Sequence, residues 1–111
     1  MVVGALQITL HLAYANSLKA KRKVLRAITD RTRAKFNAAV AETGANDLWQ
    51  RIELGFAVCG NDPSHVERQL DRIEEFVESL GLAEIVDVRL EVMNLKDMAW
   101  APQARWNNHN G

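Results

Sequence analysis

Hydrophobic and polar residues alternate along three stretches of the chain, which is the pattern of a β-strand with one buried face. These stretches are residues 2–12, residues 51–59 and residues 84–93. A shorter stretch, residues 37–42, is rich in small and β-compatible residues and is predicted to be a fourth strand. The inner face of the short strand is expected to carry Ala38 and Val40. The inner face of the last strand is expected to carry Val86, Val88, Leu90 and Val92.

Two other stretches carry apolar residues at the helical spacing of about 100° per residue. The first spans residues 17–36, and Ser17 is its candidate N-cap, since a hydroxyl can accept a hydrogen bond from a first-turn amide. The second follows Asp62 and Pro63, which suit the N-cap and the first helical position, and ends before Gly81. The predicted apolar faces are Leu18, Val24, Leu25, Ile28, Thr32 and Phe36 in the first helix, and Val66, Leu70, Ile73, Val77 and Leu80 in the second.

The predicted order of elements is therefore βαββαβ. This order is typical of the ferredoxin-like α+β fold, in which both helices lie on one face of a four-stranded antiparallel sheet. Right-handed crossovers give the strand order 4-1-3-2. We expect one domain over residues 1–93 and a C-terminal tail over residues 94–111, partly mobile, which contains Trp100 and Trp106.

Composition indicates a globular protein that stays in the cytoplasm. Of the 111 residues, 48% are hydrophobic and 25% are charged, and no apolar run approaches the ~18 residues of a membrane span. The N-terminus has no basic segment before its first apolar residues, so a signal peptide is not expected. Cys59 is the only cysteine, which excludes an internal disulfide. No membrane association is predicted.

The formal net charge of zero conceals a strong separation of charge along the chain. Residues 17–36 contain eight Lys or Arg against one Asp, whereas residues 62–91 contain nine Asp or Glu against three Arg. Attraction to a polyanion depends on the local electrostatic field, so the overall balance does not exclude a nucleic-acid partner.

The outer side of the first helix is the candidate nucleic-acid-binding surface. Lys19, Arg22, Arg26 and Arg33 follow one another at intervals of three, four and seven residues, so they lie along one line of the helix, with Lys23 beside it. Such a line of cations can follow the phosphates of an RNA. The alternative interpretation, a charged helix face in contact with solvent only, has about equal weight.

A second candidate cluster lies where the first strand ends, the first helix begins and the hairpin between the second and third strands turns. Its members are Lys21, Glu42, Asp47, Trp49, Gln50 and Arg51. Lys21 falls inside the apolar arc of the helix, where an ammonium group needs a partner, and Glu42 is expected to be that partner. A structural role for this pair outweighs a catalytic one, since structural ion pairs are common.

Other reactive residues do not form a recognisable catalytic or metal-binding pattern. The histidines, His11, His65 and His109, are scattered, and no His, Cys or carboxylate spacing matches a metal site. Cys59 has no evident base, and no glycine-rich phosphate loop is present. We therefore expect no cofactor, no metal and no enzymatic activity.

Three ordered motifs resemble the YlxP-like family of small bacterial proteins of unknown function. They are SLKAKR at residues 17–22, VAETGANDLWQRIELG at residues 40–55 and GND at residues 60–62, and the resemblance covers residues 1–93. It implies a ferredoxin-like fold. Because genes of this family usually lie near genes for translation initiation and ribosome-binding factors, it also implies a link to ribosome maturation or translation. It implies no catalytic residues. The family often has Glu where this chain has Ala20, and the tryptophan-bearing tail lies outside its pattern.

The functional hypothesis is a non-enzymatic cytoplasmic module that binds RNA or the small ribosomal subunit through the first helix, with the hairpin edge giving orientation. The alternative is a regulatory module that binds a protein. In that case the open face of the sheet forms a homodimer, or the basic helix docks an acidic protein. The open face offers Gln7, Thr9, Ala57 and Cys59 but none of the aromatic residues that stack on RNA bases.

Overall fold

The computed structural model describes residues 1–98 and shows the predicted βαββαβ order. The sheet is antiparallel throughout, with the strand order β2-β3-β1-β4, so the predicted ferredoxin-like arrangement is confirmed. The elements are β1 (Val2–His11), α1 (Leu18–Lys35), β2 (Ala39–Gly44), β3 (Arg51–Gly60), α2 (Pro63–Ser79), β4 (Glu84–Asn94) and a short 3₁₀ helix (Leu95–Met98).

The hydrophobic core lies between the sheet and the two helices. The two central strands, β1 and β3, supply aliphatic and aromatic side chains from every second position, and α2 supplies a stripe of aliphatic side chains. Gly4 of β1 permits the close approach of α2, because a Cβ atom there would lie 2.6 Å from Val66 Cγ1 and 2.7 Å from Leu70 Cδ1. The core residues of α2 are Val66, Leu70, Ile73 and Val77, which are at most 2% exposed.

Both helices begin and end near the predicted residues. The side chain of Ser17 accepts a hydrogen bond from the Ala20 amide at 3.1 Å, and the side chain of Asp62 accepts one from the Ser64 amide at 3.1 Å. Gly81 follows α2 with φ of 62°, in the left-handed region that glycine adopts without a steric penalty. The N-cap predictions at Ser17 and Asp62 are confirmed.

The second strand begins and ends two residues later than predicted. The Phe36 amide still donates to the Thr32 carbonyl at 2.8 Å, so the helical hydrogen bonding extends into the segment where the strand was expected to begin. The strand then pairs with β3 from Ala39, opposite Ala57, to Gly44, opposite Glu53. Val40 is buried as predicted, whereas Ala38 precedes the strand and packs half-buried against the core.

The last strand contains an irregularity that reverses one predicted side-chain orientation. Pairing between β1 and β4 shifts between Thr9, opposite Asp87, and Leu10, opposite Ile85. This β-bulge places Val86 outside the regular pairing, so the inward position passes to Ile85, which packs half-buried against the core. Val86 is 51% exposed, and its predicted inner position is wrong.

The open face of the sheet carries small residues across β2, β3 and β1, bordered by the longer side chains of Gln7, Arg89 and Glu91. Ala5, Ala39, Ala41 and Ala57 are exposed on three adjacent strands, and no helix of residues 1–98 covers them.

Asn94 is the final residue of β4 rather than the first of the tail, and the Leu95 amide donates to the Met1 carbonyl at 2.9 Å. The predictions for Trp100 and Trp106 lie outside the described residues. Within residues 1–98, no helix has the length and hydropathy needed to span a membrane.

Candidate functional site

Four of the five cations predicted to bind nucleic acid lie together on the first two turns of α1. Lys19, Arg22, Lys23 and Arg26, here called the basic ridge, are all exposed and line a shallow depression together with Ser17 and Ala20. Within residues 1–98, none of the four forms an ion pair with a carboxylate. The ridge is about 10 Å long at 1.5 Å per residue, and its cations are available to an anionic ligand.

Arg33, the fifth predicted member, is turned toward the sheet. Its Nη2 atom donates a hydrogen bond to the Val40 carbonyl of β2 at 2.6 Å. This contact ties the C-terminal half of α1 to an edge strand of the sheet. Arg33 is therefore separate from the basic ridge, although its side chain remains exposed.

The Lys21 ammonium group occupies a buried site made by the hairpin between β2 and β3. Lys21 is 1% exposed, and its Nζ atom lies 3.2 Å from Glu42 Oε2, so the predicted contact is present. Nζ also donates to the Ala45 carbonyl at 2.5 Å and to the Asn46 carbonyl at 3.5 Å. A buried ammonium group needs partners of this kind, because an unpaired charge is strongly destabilising in the interior. Lys21 thus fixes the start of α1 to the hairpin.

The hairpin positions the groups that contact this lysine. Asn46 Nδ2 donates to Glu42 Oε1 at 3.1 Å, while the other oxygen of Glu42 faces Lys21. Ala45 has φ of 56°, a left-handed conformation that is unfavourable for a residue with a Cβ atom. Because the carbonyl of Ala45 accepts the shortest hydrogen bond from Lys21, the lysine stabilises this turn conformation.

The remaining residues of the predicted edge cluster lie in a separate, shallow depression. Asp47, Trp49, Gln50 and Arg51 are exposed, and they line this depression together with Leu10, His11, Leu48 and Val86. The Leu12 amide donates to the Gln50 carbonyl at 2.9 Å, which ties the hairpin to the end of β1. The predicted cluster is thus divided into the buried Lys21–Glu42 pair and an exposed surface that bears Trp49.

A second group of basic side chains, which the sequence patterns did not reveal, lies between the two helices. Lys35 near the end of α1 faces His65, Arg68 and Arg72 of α2 across a groove. The groove is lined by Phe36 and Phe76, whose rings meet edge to face with centroids 5.5 Å apart. The spacing of His65, Arg68 and Arg72 by three and four residues is the signal that could have predicted this side of α2.

Residues with metal-binding chemistry are not clustered in the described part of the chain. No group of three or more His, Cys, Asp or Glu side chains in residues 1–98 could hold a metal ion. Cys59 is a free, exposed cysteine. The local chemistry of the candidate surface is therefore that of exposed cations on a helix anchored by a buried ion pair.

The fold and the surface define a ferredoxin-like domain whose first helix carries a basic face that forms no ion pair within residues 1–98. The family model described as a protein of unknown function (DUF503) matches residues 3–90, and this chain belongs to that family. It is similar to the uncharacterized protein YlxP of Bacillus subtilis (strain 168), with 38% identity over 77 residues, covering 69% of this chain and 84% of the relative. The resemblance to the YlxP-like family is confirmed.

Solved structures with low sequence identity support the fold alone. A de novo designed protein with a ferredoxin fold matches at a TM-score of 0.52 and 15% identity, covering 98% of this chain and 100% of the designed chain. The VAO-type flavoprotein MtVAO615 of Myceliophthora thermophila C1 matches at a TM-score of 0.50 and 19% identity, covering 96% of this chain but 19% of the flavoprotein.

Proposed function

We propose that this protein is a non-enzymatic cytoplasmic module that binds RNA, in the setting of the small ribosomal subunit, through the basic ridge of α1. The observation that carries the proposal is the presence of four exposed cations within eight residues, none of them paired with a carboxylate of residues 1–98. Lys and Arg side chains that neutralise phosphates release the counterions of a nucleic acid, which supplies most of the non-specific binding free energy.

The contacts that hold α1 against the rest of the domain support this role. Lys21 fixes the start of the helix to the hairpin, and Arg33 fixes its C-terminal half to β2, so the ridge lies on a helix held at two points. A rigid element presents its cations in one arrangement, which lowers the entropy lost on binding. In this proposal the exposed hairpin surface around Trp49 orients the RNA relative to the ridge.

The absence of catalysis is part of the proposal and has its own support. The predicted edge-cluster pair, Lys21 and Glu42, is engaged in contacts within the fold. The Lys21 ammonium is 1% exposed and is surrounded by two hairpin carbonyls and the Glu42 carboxylate. A general acid or base must reach its substrate within hydrogen-bond distance, and this geometry does not offer Lys21 to one.

Co-sedimentation with purified small ribosomal subunits over a salt series tests the proposal. The wild-type chain should sediment with the subunits at low salt and be released as salt rises. An R22E/R26E variant, which leaves the Arg33 contact intact, should not sediment with them. An R89E/K96E variant changes the net charge equally on other parts of the surface and should bind as wild type does. Failure of the wild-type chain to bind at low salt, or equal loss in both variants, would contradict the proposal.

A second candidate function is a homodimeric or protein-binding regulatory module, favoured by one observation. The exposed alanines of the open sheet face, Ala5, Ala41 and Ala57 among them, form an apolar patch without side-chain rotamers that would have to be ordered on association, and longer polar side chains such as Arg89 and Glu91 border it. Sedimentation equilibrium would show a mass that rises with concentration if this face dimerises. A monomer mass at every concentration would exclude the homodimer.

A further inference from the structure

The second helix carries two exposed flanks of opposite character. One flank bears acidic side chains one helical turn apart: Glu67, Asp71 and Glu78, which are exposed, and Glu74, which is half-buried. The other flank bears His65, Arg68 and Arg72, and these residues line the groove that α2 forms with the end of α1. Residues 62–91 carry an excess of negative charge, but the side of α2 that faces α1 carries mainly basic side chains.

The groove between the helices concentrates positive charge. Its volume is about 800 Å³, and its ionisable lining consists of Lys35, Arg68, Arg72 and His65 against the single acid Glu75. Lys35 Nζ lies 4.8 Å from the centre of the Phe76 ring, a cation–π distance that holds its ammonium over the groove. Within residues 1–98, neither Lys35 nor the two arginines form an ion pair.

The basic ridge and the groove are connected along α1. Lys35 follows Arg26 by nine residues, which is about 13 Å along a helix. Asp30 is exposed and lies in line with the ridge, so a polyanion that continued straight along it would meet a carboxylate. Arg31, also exposed, lies one turn before Lys35 on the same side of the helix. Arg31 and Lys35 thus continue the line of cations from the ridge obliquely across the surface of α1 to the groove.

We propose that the RNA bound at the basic ridge extends across α1 into the groove between the helices, where Lys35, Arg68 and Arg72 contact its phosphates. This inference rests on the proposed function and adds a second contact region to it. A strand that follows α1 from Lys19 to Lys35 would cover about 24 Å of helix, a length that requires several nucleotides.

Three double variants of the full chain, each losing two positive charges, separate the contact regions. They are R22Q/R26Q on the ridge, R68Q/R72Q in the groove and, as a control of equal charge change, R89Q/K96Q, in which Arg89 is paired with Asp87 at 3.2 Å. The probe is a fluorescein-labelled oligouridine of about 20 nucleotides, longer than the sites of single-strand-binding modules. Its anisotropy gives the dissociation constant at several salt concentrations. All the substituted side chains are exposed, and equal melting temperatures check that each variant is folded.

The slope of log affinity against log salt concentration reports the number of phosphate contacts, at about 0.7 per contact for single strands. The groove variant should bind more weakly than wild type, with a slope shallower by about 1.4, since two contacts are lost. The ridge variant should show a similar change, and the control should keep the wild-type slope. A groove variant with the wild-type slope, beside a weakened ridge variant, overturns this inference and leaves the proposed function standing. No binding by wild type, or an equal loss in all three variants, overturns both.

Discussion

The two helices lie on the same face of the sheet but are held there by different interactions. The four residues that α2 buries, from Val66 to Val77, are all aliphatic, and α2 packs against β1, β3 and β4. Of the four residues that α1 buries, only Ile28 is aliphatic, and the others are Lys21, Thr29 and Thr32. Hydrophobic burial therefore holds α2, whereas α1 depends to a greater extent on polar contacts.

Two of the three polar residues that α1 buries, Thr29 and Thr32, form hydrogen bonds within the helix. Thr32 Oγ1 donates to the Ile28 carbonyl at 2.8 Å, and Thr29 Oγ1 donates to the Arg26 carbonyl at 3.1 Å. Lys21 and Arg33 donate hydrogen bonds to other elements, near opposite ends of the helix. Polar attachment is directional, so it fixes where the helix lies while leaving its outer side free for charge. The helix that is proposed to bind is thus held by hydrogen bonds and one ion pair in addition to its apolar contacts with the core.

The largest effect is expected from a core residue of α2. Leu70→Ala should lower the free energy of unfolding by about 2–5 kcal/mol, because Leu70 is fully buried and its truncation leaves a cavity. Urea denaturation measures the change. Leu82→Ala is the control, since Leu82 is 36% exposed and should change stability by less than about 1 kcal/mol. Equal losses in the two variants would show that α2 is not held by burial.

A smaller but still substantial loss is expected when the polar anchor of α1 is removed. Lys21→Met should destabilise the protein by about 2 kcal/mol, because the Ala45 carbonyl and the Glu42 carboxylate lose their donor. Lys23→Met, on the exposed ridge, should be nearly neutral.

A double-mutant cycle of Lys21→Met with Glu42→Gln isolates the ion pair from its other contacts. We expect a coupling energy of about 1 kcal/mol, reduced by the 23% exposure of the Glu42 side chain, which allows water to replace part of the interaction. Additive effects in the denaturation experiments, with no coupling, would mean that Lys21 is held by the hairpin carbonyls alone.

A loss of about 1 kcal/mol is expected at the N-cap of α1. Ser17→Ala removes the hydrogen bond from the Ala20 amide to the serine side chain, and Ala20 supplies no carboxylate that could take part in a capping box. Ser17→Asp should retain most of the stability, since Asp is also a good N-cap. Thermal denaturation compares the two variants. Equal melting temperatures for Ser17→Ala and wild type would show that the N-cap hydrogen bond does not stabilise the protein.

The smallest effect is expected where Arg33 meets the edge strand. Arg33→Gln should destabilise the protein by about 0.5–1 kcal/mol through loss of the hydrogen bond to the Val40 carbonyl. Arg26→Gln, which removes a ridge cation without such a contact, should leave the stability unchanged and weaken RNA binding instead. If the two variants exchanged these phenotypes, the assignment of Arg33 to structure and Arg26 to binding would be wrong.

Features that depend on local chemistry could be predicted from the sequence. The alternation in β1 and β3, the aliphatic stripe of α2 and the caps at Ser17 and Asp62 follow from side-chain period and hydrogen-bonding capacity. The contact between Lys21 and Glu42 was also predictable, because a lysine inside an apolar arc requires an acceptor and the topology brings the hairpin to that end of the helix.

Features that depend on pairing between distant elements could not be predicted in the same way. The bulge beside Thr9 moves Val86 outward, and a one-residue shift of this kind is set by the partner strand rather than by the strand's own alternation. Arg33 fits the ridge on a helical wheel, and only the position of β2 shows that it donates to Val40. The groove cations on α2 were concealed because acidic residues alternate with them in the sequence.

A titration of the ¹⁵N-labelled full chain with single-stranded RNA, followed by amide chemical shifts, tests directly whether the basic ridge of α1 is the binding surface. We expect progressive, salt-sensitive shifts at Lys19, Arg22, Lys23 and Arg26, with no shifts at Ala5, Ala41 or Ala57 on the open face. Shifts confined to the open sheet face, or an unchanged spectrum at low salt, would contradict this expectation.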